Sequence, residues 1–198
     1  MTLKTTTRSL ALAALLGATA LTLPALAQDP STITGGFDVG PGGFQGNFNP
    51  LAATSGLTWL SVYYEPLVIY NAELTQLEGA LASEWSMSED QREITFTLVE
   101  ETWHDGEAFT SADVKFTLEL AKNAAAGSVF AARLGAITSV DTPDDRTVVV
   151  TLSNPDTGLL STLAQVMILP EHALKDIAPE ELATSTWWAT TPIGTGPY

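Results

Sequence analysis

Residues 92–123, REITFTLVEETWHDGEAFTSADVKFTLELAKN, dictate a strand, a tight turn and a capped helix in that order. Ile94, Phe96 and Leu98 alternate with Thr95, Thr97 and Val99, a period of two that gives a strand one apolar face. HDGE follows, with Gly106 where a turn requires positive φ. Thr110 stands three residues before Asp113, the spacing of a capping box. Val114, Leu118 and Ala121 then recur at helical spacing. Alternation returns at Val148, Val150 and Leu152, and the TPDD sequence before them predicts a hairpin turn holding Asp141, Asp144 and Asp145.

Other segments read in the same way. A strand is expected at 33–39, and a buried helix begins after Ser55 and stops at Pro66. Short strands are expected at 67–70 and 84–87, with SEDQ as a turn after the second. TGLLSTLAQVMILP reads as a helix followed by an apolar strand, and EHALKDIAPEEL as short helices with Pro179 in a first turn. The fold class is α+β (mixed α/β), built from short elements.

The amino terminus has a different character. Lys4 and Arg8 precede an apolar run from Leu10 to Leu23, then Pro24 and the small-x-small site Ala25-Leu26-Ala27. This is the pattern of a cleaved signal peptide over residues 1–27, with an apolar run too short for a membrane span. The chain has no Cys, which excludes disulfides, thiol chemistry and a lipid anchor at the cleavage site. The leader holds two of the eight basic residues and no acidic one, leaving six against 23 Asp+Glu and a net charge of −17. Such a chain repels nucleic acid and anionic membrane surfaces. A soluble periplasmic protein is expected.

No constellation for catalysis stands out. His104-Asp105 resembles a base with its orienter, and Ser111 is near in sequence, but no G-x-S-x-G elbow is present. The two histidines, His104 and His172, lack the close spacing of zinc ligands, and Asp141, Asp144 and Asp145 lack EF-hand spacing. Residues 34–56 hold seven glycines without a Lys or Arg, which suits close backbone approach rather than a phosphate cradle. Of the five tryptophans, Trp59, Trp85 and Trp103 read as core, while Trp187 and Trp188 precede a Gly-rich segment and offer an aromatic face to a cleft. No catalytic residue, metal site or cofactor is assigned.

Two runs carry a resemblance. Leu81, Ala82, Trp85, Ser88 and Asp90 form the first, and Trp103, His104, Asp105, Gly106, Ala112, Asp113, Val114 and Phe116 the second. With NPL at 49–51, YEPLV at 64–68, RTVVVTLSNP at 146–155 and PIGTGPY at 192–198, they resemble the family 5 solute-binding proteins of ABC importers. VEET at 99–102 departs from the family's usual basic residue and Gly there.

The resemblance implies a periplasmic binding protein type II-like fold of two lobes. Residues 28–66 would begin lobe I, 67–190 would form domain II, and 191–198 would re-enter lobe I, with the opposing lobe beyond Tyr198. It implies a monomeric receptor that passes a peptide or oligosaccharide to a membrane permease complex, with no enzymatic step. Thr54, Ser55, Gly56, Trp188, Gly194, Thr195 and Tyr198 are the expected ligand-binding wall. A secreted oligosaccharide-binding or chemoreception module, and a secreted hydrolase, are the alternatives.

Overall fold

Alternating Thr and aliphatic residues produce a sheet with one wet face and one dry face. The computed structural model describes residues 48–52 and 60–197. The leader, the 33–39 strand, most of the Gly-rich stretch, the start of the helix after Ser55, Thr54, Ser55, Gly56, Trp59 and Tyr198 lie outside the described residues.

The strands are β1 (Val68–Tyr70), β2 (Leu77–Gly79), β3 (Ala82–Met87), β4 (Glu93–Leu98), β5 (Ile137–Asp144) and β6 (Thr147–Leu152). The helices are α1 (Ser111–Lys122), α2 (Leu159–Leu163), α3 (Glu171–Leu174), α4 (Pro179–Leu182) and α5 (Trp187–Thr190). β1 and β2 form a two-stranded antiparallel ribbon, and the others form an antiparallel sheet in the order β3-β4-β6-β5.

Register explains the two faces. Phe96 lies opposite Trp85 on one side and Val148 on the other, and Ile94 lies between Met87 and Val150. Val140 and Ile137 on β5 extend this row against Val150 and Leu152. Ile94, Phe96, Leu98, Val148 and Val150 are wholly buried. The other face carries Thr95, Thr97, Thr147 and Thr151, β-branched residues that suit a strand while meeting solvent. α1 covers the β5–β6 side and buries Val114, Leu118, Leu120 and Ala121. At its far end Lys122 Nζ donates to the Ile137 carbonyl at 2.6 Å.

Both outer strands are irregular. Ser83 is an extra residue in β3 between the Ala82–Leu98 and Glu84–Thr97 pairs, and its hydroxyl donates to the Thr97 carbonyl. Thr138 does the same in β5, donating to the Thr151 carbonyl. A second shift separates the Asp141–Val149 and Asp144–Thr147 pairs and accommodates Pro143, which has no N–H to give a ladder.

The Ser88-x-Asp90 pair of the first motif run builds the β3–β4 turn. Ser88 Oγ donates to Asp90 Oδ1 at 2.7 Å and accepts the Glu93 N–H, while Asp90 Oδ1 also accepts the Arg92 N–H. These bonds, Ser88's first, hold the Asp90 carboxyl below its ordinary range.

Two sequence expectations are corrected. Residues 166–169 are buried but not a strand: Met167 makes a single bridge to Pro66, the Ile168 N–H goes to the Glu65 carbonyl, and the Leu169 N–H goes to Thr117 Oγ1. Among the described residues, no continuous backbone edge is offered to them. Asp141 also does not sit in the hairpin turn. β5 runs on to Asp144 and the chain reverses at Asp145–Arg146, because the bulge lets the strand continue through Pro143.

The register makes a sharp mutational prediction. Phe96→Ala will destabilise the chain by about 3–5 kcal/mol, the range for emptying a buried aromatic site, whereas Thr97→Ala will cost under about 1 kcal/mol. Urea midpoints followed by tryptophan fluorescence measure both.

Candidate functional site

Gly106 opens the second motif run by adopting φ of 91°, which lets the chain reverse after Trp103. The reversal is closed by the Trp103 N–H to the Glu107 carbonyl and the Gly106 N–H to the Trp103 carbonyl. Trp103 is buried, edge-on to Phe109 at 6.1 Å and to the His172 ring at 6.2 Å. Its indole N–H donates to Asp113 Oδ2 at 3.4 Å.

Asp113 is the junction of this region. Its Oδ2 accepts the Thr110 N–H at 2.8 Å, one half of the capping box foreseen in the sequence. Its Oδ1 accepts the Glu171 N–H, also at 2.8 Å, at the start of α3. Burial pushes the carboxyl above its ordinary range, opposed by these N–H donors and the indole. One side chain thus fastens a turn and two helix starts.

The neighbouring groups are equally committed. Ser111 Oγ donates to the Asp144 carbonyl at 2.6 Å, so the hydroxyl near His104 in sequence is tied to the β5–β6 turn. Asp105 does not orient His104: its Oδ2 lies 2.9 Å from His172 Nε2, and its Oδ1 accepts the Glu107 N–H. Desolvation alone would raise the Asp105 carboxyl, but the His172 and Glu107 hydrogen bonds together hold it below its ordinary range. A His–Asp–Ser relay is therefore not assembled from these residues.

His104 turns instead to the Gly194–Gly196 segment, a strap crossing the Val62–Tyr64 backbone. Its N–H donates to the Gly194 carbonyl at 2.9 Å, and its Nδ1 accepts the Gly194 N–H at 3.2 Å. Its Nε2 bonds the Gly196 carbonyl at 2.6 Å, while the Gly196 N–H donates to the Tyr63 carbonyl. Both glycines are required by contact. A Cβ on Gly194 would collide with the Tyr63 carbonyl oxygen, and one on Gly196 would lie 2.7 Å from the Val62 carbonyl oxygen.

Of the expected ligand-binding residues, Gly194 and Thr195 are brought together on this strap. Thr195 Oγ1 and the Tyr64 hydroxyl beneath are buried with no hydrogen-bond partner among the described residues. Burial raises the Tyr64 hydroxyl's pKa above its ordinary value. Trp188 is a correction: it is 1% exposed, its indole N–H donates to the Leu182 carbonyl at 2.6 Å, and Trp187 packs edge-on against it. It is a core residue with no face for a solute. Thr54, Ser55, Gly56 and Tyr198 lie outside the described residues. His104 and Tyr64 join the strap without having been named as site residues. Contacts spanning 90 residues leave no local pattern.

Among the described residues, no group of three or more His, Cys, Asp or Glu is placed to hold a metal ion, and no helix is long and apolar enough to cross a membrane.

Two measurements probe the junction. Asp113→Ala abandons the Thr110, Glu171 and Trp103 donors and will cost about 2–4 kcal/mol in urea unfolding, at about 1–3 kcal/mol for a buried unsatisfied group. Asp105 has a lowered folded value, so its contribution is present above the ordinary carboxylate value and is lost as pH falls through the lowered one. The stability difference between the wild type and Asp105→Asn will therefore hold level from pH 7 to about pH 4 and shrink below that.

The family description "Bacterial extracellular solute-binding proteins, family 5 Middle" matches residues 76–198. A Brucella ovis protein named as an ABC transporter peptide-binding protein is 58% identical over 190 residues, covering 96% of this chain and 36% of the relative. The chain therefore spans about a third of that relative's length. NikZ from Campylobacter jejuni, solved in complex with Ni(L-His), matches with a TM-score of 0.68 and 32% identity over 77% of this chain and 30% of that one. The oligopeptide-binding protein AppA from Bacillus subtilis, in complex with a nonapeptide, gives a TM-score of 0.72 at 22% identity over 76% and 31% of the two chains, a likeness of fold. The mixed α/β architecture is part of the type II periplasmic binding protein fold. The chain belongs to the bacterial extracellular solute-binding proteins of family 5.

Proposed function

We propose that this chain is part of the substrate-binding component of an ABC importer, working in the periplasm after removal of residues 1–27. Its solute is a peptide, which it delivers to a membrane permease as a monomeric receptor. The observation that carries this reading is the 58% identity, over 96% of the chain, to a relative named for peptide binding.

The mechanism is capture rather than reaction. A solute is enclosed between two lobes, closure excludes water, and the closed form docks on the permease. In this reading residues 28–66 and 191–198 belong to lobe I and residues 67–190 form domain II. The opposing lobe belongs to the two-thirds of the relatives' length that this chain does not span. Thr54, Ser55, Gly56, Gly194, Thr195 and Tyr198 supply part of the cleft wall. On the strap the group left for a solute is the Thr195 hydroxyl, which has no hydrogen-bond partner among the described residues. The Trp103–Phe116 run is architecture: its polar groups are spent on Asp113, Asp144, His172 and the strap.

Calorimetry tests the reading. This chain alone will bind dipeptides, longer peptides, oligosaccharides and Ni(L-His) no more tightly than about millimolar, because one wall cannot enclose a solute. Extended with the remaining two-thirds of the Brucella relative, it will bind peptides at about micromolar Kd or better. In that receptor Thr195→Val will weaken peptide binding about five- to tenfold, the worth of one hydrogen bond. Tight binding by the short chain, or binding of sugars or the nickel chelate in place of peptides, overturns it.

A further inference from the structure

The partners of the His104 ring determine its chemical state. A backbone N–H can only donate, so Nδ1, which receives the Gly194 N–H, carries no proton. A backbone carbonyl can only accept, so Nε2, 2.6 Å from the Gly196 carbonyl, carries one. With the main-chain bond from the His104 N–H to the Gly194 carbonyl, the residue grips both ends of Gly194-Thr195-Gly196. We propose that His104 is a positioning residue whose neutral Nε2–H imidazole seats this strap, and that a second proton on the ring releases the Gly194 amide.

An imidazolium keeps the bond to the Gly196 carbonyl and strengthens it by its charge. On the other side, Nδ1–H then points at the Gly194 N–H, two donors meet, and that amide loses its acceptor. The Gly196 amide is bound elsewhere, to the Tyr63 carbonyl, and has no direct stake in the ring's charge. Release is therefore asymmetric: the Gly194 amide is let go, while the Gly194 carbonyl keeps the His104 N–H and Gly196 keeps both of its bonds.

The titratable groups around the ring come from three elements. Asp105 and Glu107 share its turn, Glu171 and His172 lie on α3, and Tyr63 and Tyr64 underlie the strap. Asp105 is held by His172, the chain's other histidine, and by the Glu107 N–H. The proposal does not depend on whether Thr195 meets a solute.

NMR on the 198-residue chain tests it, following the His104 ring nitrogens and the amide-exchange protection factors of Gly194 and Gly196 between about pH 5 and 8. The Nε2–H tautomer is expected at the upper end. As the ring gains its second proton, Gly194 protection will fall about five- to tenfold, the worth of one hydrogen bond, while Gly196 changes less. His172→Gln will leave that response in place. His104→Gln, which keeps a donor for the Gly196 carbonyl but cannot titrate, will abolish it. An Nδ1–H tautomer at the upper end, or Gly194 protection that is unchanged by ring protonation or follows His172, overturns the proposal. The wild-type ring spectra alone decide it should His104→Gln not fold.

Discussion

A single buried carboxylate organises much of this fold. Asp113 receives N–H groups from the Trp103 indole, from Thr110 at the start of α1, and from Glu171 at the start of α3. A helix leaves its first amides without internal partners, and two such starts converge here on one acceptor-only group. Bringing an anion indoors is costly, but its donors are all supplied by the chain and both helix starts face it with their positive ends. Together with the His172–Asp105 pair, it ties α3 to the turn that carries His104 and Asp105.

The same economy runs through the second motif run. Trp103 fills the core, His104 reaches the strap, Asp105 meets His172, Gly106 reverses the chain and Asp113 joins the helices. The residues that look most like a catalytic set in sequence are each spent on holding distant segments together. The glycines of the strap are spent in the same way, with the N–H and carbonyl of Gly194 and of Gly196 all bonded to His104 or Tyr63.

Local periodicity was legible, and long-range partnership was not. Ile94, Phe96 and Leu98 announced β4, and Thr110 with Asp113 announced the start of α1, because both signals lie within a few residues. The 166–169 run misled: β-branched and apolar content is shared by strands and by buried extended chain, and only a neighbouring edge distinguishes them. Trp188 misled for a related reason, since an indole's environment is set by residues such as Leu182 whose fold the aromatic itself does not report. The meeting of His104 with Gly194 and Gly196 was legible only as two motifs, never as a contact.

The bulges of β3 and β5 bear on how copies of this chain meet one another. A flat strand with regularly spaced free amides invites a second molecule to zip onto it. Here each flank of the sheet is kinked by a hydroxyl residue, Ser83 or Thr138, whose side chain bonds back to the adjacent strand, and Pro143 removes a further donor on one side. The sheet thus terminates itself laterally. That geometry disfavours the addition of a further strand at either flank.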